Sequence, residues 1–403
     1  MLSLNQKIIL LSFILPLCIL FPFQSQWLEI HLCKVVSFFQ NKQIVLKNFL
    51  RSSTCKHSLS ENQIYQLINQ ECPRWMQGQI NRDLAYFEKH RPSLEHLHQF
   101  FKEKSSDLLL VKFTIQNNKV QVEKHFKANR GIKYRIESFK EVFDRLSKIV
   151  TLPDVTFLIS MHDGLSSDYE IPLFVMSKRS QSSSLILVPD FEALRENYQV
   201  LHHQNILHFE VPWAQKRSTL IWRGSTAQAA MDGSTNFLHP ENLHLFSRIA
   251  LCKLSQKFPD LIDAQFTLYV QGGEFIPSLQ SFKGSWVDYE EQLKYKYQIL
   301  IDGNTSSYTA SGWRFFSNSL VFKPTSPWIQ WYYQELKPYT HYIPVEADLK
   351  DLVQKIVWAR AHDQEAEMIA RHARQFALTH LTLKDHLLYL YYLIKTYSFL
   401  FLS

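Results

Sequence analysis

Most of the short signatures that assign a chain on sight are missing from this sequence. No small-residue loop runs into Gly-Lys-Ser/Thr, so there is no P-loop. The five cysteines, Cys18, Cys33, Cys55, Cys72 and Cys252, include no pair at CxxC spacing, which argues against a structural zinc site and a disulfide framework. Cys55 and Cys72 could pair in an exported chain; free buried thiols are the expected state. The acids show no metal-ligand spacing, so no metal and no resident cofactor are expected. No basic cluster is interleaved with aromatics, so no nucleic acid is expected as a partner. There is no internal repeat and no long low-complexity tract. Charge of one sign is also scarce: 44 Lys+Arg against 37 Asp+Glu leaves +7, spread along the chain. Such a diffuse excess suits anionic ligands or a membrane surface and selects neither.

What is present is globular. The 403 residues are 46% hydrophobic, enough for two domains with cores. After Lys7, the uncharged run Ile8–Phe23 is broken by Pro16 and Pro22, and no small-x-small cleavage site follows at Gln24–Trp27. Residues 1–26 are therefore expected to be a hydrophobic anchor or signal segment, uncleaved, which would make the chain membrane-associated. Residues 27–60 read as a basic connector.

From Glu61 the pattern turns regular. Ser93 is placed to cap a helix running to Lys104. Leu108–Ile115 and Lys119–Glu123 alternate across Asn117-Asn118, a hairpin signal. Ile136, Phe139, Phe143, Leu146 and Val150 step at helical spacing. Val155–Ser160 is a buried strand ending in Met161-His162-Asp163-Gly164, and Leu185–Val188 is another, ending at Asp190. Beyond residue 206 a second series begins. Thr219–Trp222 is a strand ending in Arg223-Gly224-Ser225-Thr226, and Phe266–Val270 is a strand. Tyr297–Ile301 is a strand stopped by Asp302-Gly303. A run of small hydroxyl and amide residues, Asn304–Gly312, precedes a helix start at Trp313, and Leu320–Phe322 is the next strand. His341–Val345 is a last strand, with Asp348 expected to cap a helix at Leu349–Ala361. Strands alternating with helices in two halves predict two α/β domains, residues 61–205 and 206–378, facing each other across a cleft. The C-terminal helix, residues 379–403, is expected to pack back on the first domain.

Three features carry chemistry. Asp163 follows a buried strand at the edge where open α/β sheets bind ligands, so its carboxylate is placed to act as a general base. An Asp bonding its own turn is the commoner fate of Asp-Gly. Arg223 ends another strand, where its fork suits a diphosphate or a salt bridge at a domain edge. The loop from Gly303 through Asn304, Thr305, Ser306, Ser307, Tyr308 and Thr309 lets a ligand approach the backbone, and N–H groups at the following helix start favour a phosphate.

Several stretches recur together in one family: WRGS at Trp222–Ser225, FPDLIDAQFT at Phe258–Thr267, KYKYQILIDG at Lys294–Gly303, SNSLVF at Ser317–Phe322 and LKPYTHYIPV at Leu336–Val345. The chain resembles glycosyltransferase family 90 over roughly Cys72 to Tyr397, most specifically in its C-terminal half. In the N-terminal half the resemblance rests on Trp75, Asp83-Leu84 and the strand before Asp163. That family includes animal protein O-glucosyl- and O-xylosyltransferases, fungal capsule-associated proteins and bacterial lipopolysaccharide glycosyltransferases. The resemblance implies a GT-B fold of two Rossmann-like domains, a UDP-sugar donor, metal-independent transfer and inversion at the anomeric carbon. It puts the catalytic aspartate at Asp163, the family's Arg-Gly-Ser on Arg223, Gly224 and Ser225, and its donor loop on Asn304 to Thr309; Thr226, Gly303 and Asp190, at neighbouring strand ends, are counted with the expected donor-binding residues.

Two departures alter the charge expected there. The animal enzymes carry an arginine where this chain has Thr309 or Ala310, and a second where it has Thr226. Arg314 is expected to replace the first by pointing from the helix start toward Ser306 and Ser307, with Lys323 and backbone N–H groups as the alternatives. The DGN…WR…SNS form resembles the bacterial branch, and the C-terminus carries no ER-retention signal. Both favour a glycan or lipopolysaccharide acceptor, glucose or xylose being the expected sugar, over a protein acceptor. The rival from another class is an inactive glycan-binding scaffold on the same fold.

Overall fold

The computed structural model describes residues 61–195, 206 and 209–401. The segment expected as an anchor and the connector after it lie outside the described residues, as does Cys55. The chain opens with α1 (Glu61–Ile68), α2 (Arg74–Lys89) and α3 (Leu94–Lys104), then β1 (Leu110–Gln116), β2 (Lys119–Glu123), α4 (Arg130–Ile149), β3 (Val155–Ser160), β4 (Leu173–Val175), β5 (Lys178–Arg179) and β6 (Leu185–Leu187). Local chemistry sets these boundaries. Ser93 accepts the His96 N–H at 3.0 Å and starts α3. Asn117 and Asn118 both take left-handed φ, 49° and 60°, which a two-residue hairpin turn requires and Asn tolerates. Asn129 caps α4 by accepting from Ile132 N at 2.9 Å, and Ile136, Phe139, Val142, Phe143 and Leu146 bury its inner face.

These strands form a mixed sheet in the order β2-β1-β3-β4-β6. β1 runs antiparallel to β2 and β3, while β3, β4 and β6 are parallel. Rings of Phe113, Phe157 and Phe174 stack along it at 5.5 and 5.1 Å between centroids. Beneath it lies a buried ion pair: Lys178 Nζ donates to Asp83 Oδ1 at 2.7 Å and to the Leu185 carbonyl at 2.6 Å. The other Asp83 oxygen accepts Leu187 N–H at 2.8 Å.

The second half supplies β7 (Arg217–Ser225), α5 (Ser247–Lys257), β8 (Ile262–Leu268), α6 (Tyr289–Gln292), β9 (Tyr295–Ile299), α7 (Tyr308–Phe316), β10 (Leu320–Pro324), β11 (Trp328–Ile329) and β12 (Ile343–Val345). Its sheet, in the order β12-β10-β9-β7-β8, is wholly parallel. Every residue of β9 is buried, as a central strand covered on both faces must be. Three of the boundaries that differ from the sequence reading bear on the site. β7 runs on through Arg223 and Gly224 to Ser225 instead of ending before them. α7 begins at Tyr308 instead of Trp313, because the Ser and Thr residues of its first turn hide a helix behind a loop-like composition. Leu349 takes a φ of 62°, which a helix cannot hold, so the next helix starts at Leu352 behind Asp351 and not behind Asp348.

The chain closes with α8 (Leu352–Ala361), α9 (Asp363–His380) and α10 (Leu383–Ser398). α10 covers the first sheet: the Tyr397 ring meets Phe174 at 5.0 Å, and the Tyr389 hydroxyl donates to the Leu187 carbonyl at 3.0 Å. The two sheets are tied by antiparallel pairing of β5 with β11. Cys72 and Cys252 are free thiols. The expectation of membrane association is corrected: among the described residues no helix is long and apolar enough to cross a membrane.

Candidate active site

A cavity of about 230 Å³ opens where the residues after β3 meet the loop between β9 and α7. Asp163 lines it from the first sheet; Gly303, Asn304, Thr305, Ser306, Ser307 and Tyr308 line it from the second. The two sides are bonded to each other. Thr305 Oγ1 donates to the Asp163 carbonyl at 3.1 Å, and Ser177 Oγ donates to Ser306 Oγ at 2.9 Å. The Asp163 side chain keeps 40% exposure, and its Oδ1 accepts from Arg135 Nη2 at 2.6 Å. Tyr308 shares a hydrogen bond with Thr305 Oγ1 at 3.3 Å; burial, with the Asp163 charge adding to it, holds its phenol well above the ordinary range, so it stays a neutral donor.

The loop keeps its shape by answering its own polar groups. Ser307 N–H bonds Asp302 Oδ1 at 3.2 Å and its hydroxyl donates to the Ile301 carbonyl at 2.8 Å. Asn304 Oδ1 accepts from the Gln271 amide at 3.1 Å. The first turn of α7, with Thr309 in it, presents N–H groups that have no partner within the helix, which favours an anion.

The cation lining the cavity is Arg248. It is the second residue of α5 and its side chain crosses to both sheet-end loops. Nη1 donates to the carbonyls of Ser225 and Ala227 at 3.0 and 2.8 Å, and Nε to that of Asp302 at 2.9 Å. Nη2 reaches only the Ile301 carbonyl, at 3.4 Å, and the guanidinium lies 5.5 Å from the Trp222 ring. Among the described residues no carboxylate comes within ion-pair distance of it, although the charge of Asp302 acts on it. Burial lowers its pKa to about 10, so it remains charged at neutral pH. A Cβ at Gly303 would stand 3.1 Å from Nη2, a tight contact.

The other expected donor-site residues lie apart. Because β7 continues through Arg223, strand alternation turns that side chain to the face opposite its neighbours Trp222 and Gly224. There Nη2 pairs with both Asp263 oxygens, at 2.8 and 2.9 Å, and Arg223 is not among the cavity residues. Gly224 backs onto the Trp222 ring, 2.4 Å from where a Cβ would stand. Ser225 does line the cavity, whereas the Thr226 hydroxyl clasps Val270, donating to its carbonyl at 2.7 Å and accepting its N–H at 2.8 Å. Asp190 is buried and accepts Glu192 and Ala193 N–H at 3.1 Å each; burial pushes its carboxyl up to about 6 and that of Glu192 to about 7. Arg314 does not occupy the place expected for it. With α7 starting at Tyr308, it falls in the last turn, where a cation suits the helix dipole, and its Nη1 turns back to the Ala310 carbonyl at 3.1 Å. Lys323 lies 4.8 Å from the Tyr333 ring centre, its pKa lowered by burial and opposed by Asp302.

The profile described as Glycosyl transferase family 90 matches residues 68–402. The chain belongs to this family. It is 27% identical over 345 residues to protein O-glucosyltransferase 2 of Danio rerio, covering 82% of this chain and 63% of that one. To protein O-glucosyltransferase 3 of Homo sapiens it is 28% identical over 329 residues, 80% and 60% of the two chains. To protein O-glucosyltransferase 1 of Rattus norvegicus it is 31% identical over 271 residues, 63% and 64%. The family 90 chain thus spans about three fifths of the length of these relatives. Among solved structures, that of the pneumococcal O-GlcNAc transferase GtfA in complex with UDP and GlcNAc aligns at 12% identity and a TM-score of 0.28, over 45% of this chain and 36% of that one; a likeness that low carries no argument.

Proposed function

We propose that this family 90 chain is an inverting glycosyltransferase that moves a hexose or pentose from a UDP-sugar to an acceptor hydroxyl. The observation that carries the reading is the meeting, on one cavity, of a carboxylate from the first sheet with a phosphate-suited helix start and a buried cation from the second. In this reading the two sheets are the two halves of a GT-B enzyme. Asp163 takes the proton of the acceptor hydroxyl as its oxygen attacks the anomeric carbon. The bond from that carbon to the diphosphate oxygen breaks on the opposite face, and UDP leaves with the electron pair. Charge growing on the diphosphate is met by Arg248, by the α7 N–H groups and by the hydroxyl of Ser306, with no metal in the step. Arg248 takes the part that sequence reasoning gave to Arg223 and Arg314.

Glucose is the first donor to try, and the acceptor expected from the sequence is a glycan or lipopolysaccharide. The relatives' name, protein O-glucosyltransferase, favours a second reading in which the acceptor hydroxyl belongs to a protein. Transfer of labelled sugar to lipopolysaccharide or to a folded protein domain separates the two.

Calorimetry with UDP, UDP-glucose, UDP-xylose and UDP-galactose tests the donor reading: an enzyme of this kind binds UDP, and a glycan-binding scaffold binds none of them. Arg248→Ala is expected to weaken UDP binding by about 1.5–3 kcal/mol, the range for hydrogen bonds to charged groups. Arg248→Lys recovers only part, because the fork is lost. Unchanged UDP affinity in a folded Arg248→Ala variant removes this residue from the donor site.

A further inference from the structure

We infer that Arg135 is a positioning residue for the transfer reaction, holding one oxygen of the Asp163 carboxylate so that the other is presented to the acceptor hydroxyl. The inference rests on the glycosyl-transfer reading above. Arg135 belongs to α4, whose buried face fixes the helix against the first sheet. Its guanidinium grips the end of β3 twice: Nη1 donates to the Met161 carbonyl at 2.6 Å and Nη2 to Asp163 Oδ1 at 2.6 Å. Its flat face lies 4.8 Å from the Phe191 ring, and that ring meets the Tyr308 ring edge-on at 6.5 Å.

A solvent-exposed ion pair contributes little and orients nothing. This one differs in kind. The Arg135 side chain is only 19% exposed, and it is held by a carbonyl, a carboxylate and an aromatic face at once. Asp163 in turn is held from both halves of the chain, its carboxylate by Arg135 and its carbonyl by Thr305 of the donor loop. Among the described residues Oδ2 has no bonding partner, so the clamp leaves one acceptor oxygen in a set direction. Asp190 and Glu192 also lie within electrostatic reach of the same guanidinium. A base must meet its proton at hydrogen-bond distance, and a carboxylate free to rotate away does so only part of the time.

The test uses the full chain as wild type, Arg135→Ala, Arg135→Lys and Asp163→Asn. It measures hydrolysis of UDP-glucose, UDP-xylose and UDP-galactose, with UDP calorimetry and thermal unfolding alongside. In Arg135→Ala, kcat is expected to fall about 10²-fold, the scale of a small misplacement of a reacting group, with donor KM and UDP affinity unchanged. Added methylguanidinium restores part of that kcat and none of the loss in Asp163→Asn. Arg135→Lys falls between, since an ammonium cannot span both acceptors. Wild-type turnover in Arg135→Ala overturns the inference and leaves the transferase reading standing. A loss that methylguanidinium does not restore, with weaker UDP binding or a lower unfolding temperature, makes Arg135 structural and also overturns it. A wild type that neither binds UDP nor hydrolyses any of the three donors overturns the transferase reading, and this inference with it.

Discussion

Asp163→Asn is expected to lower turnover by about 10²–10⁴-fold, the span for loss of a general base, while UDP binds as before. The substitution keeps the shape of the side chain, and an amide oxygen can still accept from Arg135 Nη2, which now bonds Oδ1 at 2.6 Å. The carbonyl that accepts from Thr305 is untouched, so the bond between the two halves survives. What disappears is an oxygen able to take a proton from the acceptor. The donor contacts proposed above involve Arg248 and the 303–308 loop on the other side of the cavity, and they do not depend on the missing charge. Steady-state turnover beside UDP calorimetry separates the two quantities. Near-normal turnover rejects Asp163 as the base, and lost UDP binding places it in the donor site instead.

The second large effect is on folding. Asp83→Ala is expected to cost about 3–5 kcal/mol, the range for removing one partner of a buried ion pair. Both side chains are almost fully enclosed, at 2% exposure for Asp83 and 5% for Lys178. Without the carboxylate, the Lys178 ammonium keeps only the Leu185 carbonyl, and Leu187 N–H loses its acceptor. The pair fastens α2 beneath β6 and beside β5, the strand that pairs with β11 of the second sheet. A loss of this size is a large part of a typical domain's stability of about 5–15 kcal/mol. Asp83→Asn, which can still accept from Leu187 N–H, is expected to lose less. Urea unfolding of the three chains checks the order. An Asp83→Ala variant as stable as wild type shows that Lys178 finds another way to be satisfied.

Asp83 also shows how far the sequence reaches. With Trp75 it was part of the fainter N-terminal resemblance, yet nothing near it in sequence names its partner, Lys178, which stands on β5. Trp75 likewise stacks on Trp331 from the far half, at 5.2 Å between ring centres. The hairpin at Asn117-Asn118, the cap at Ser93 and the strand Val155–Ser160 were legible because each is set by a few consecutive residues. Helix α7 was not: its first turn is built from Ser, Thr and small residues, so it looked like loop until Trp313, and that misplacement put Arg314 at the wrong end.

The sequence by itself determined the alternation of strands and helices, the place of Asp163 just after a buried strand, the small-residue loop at Asn304–Gly312, and membership in family 90. These depend on residue periodicity and on short motifs, and both are local. Only the tertiary structure decided which charges belong to the cavity. Arg223 and Arg248 are the same residue type, and only Arg223 lies in a motif. Three more residues of β-strand turned Arg223 onto Asp263, and the packing of α5 carried Arg248 in among the carbonyls of Ser225, Ala227 and Asp302. A guanidinium goes where acceptors and counter-charges are, and those come together from distant parts of the chain only when the sheets form.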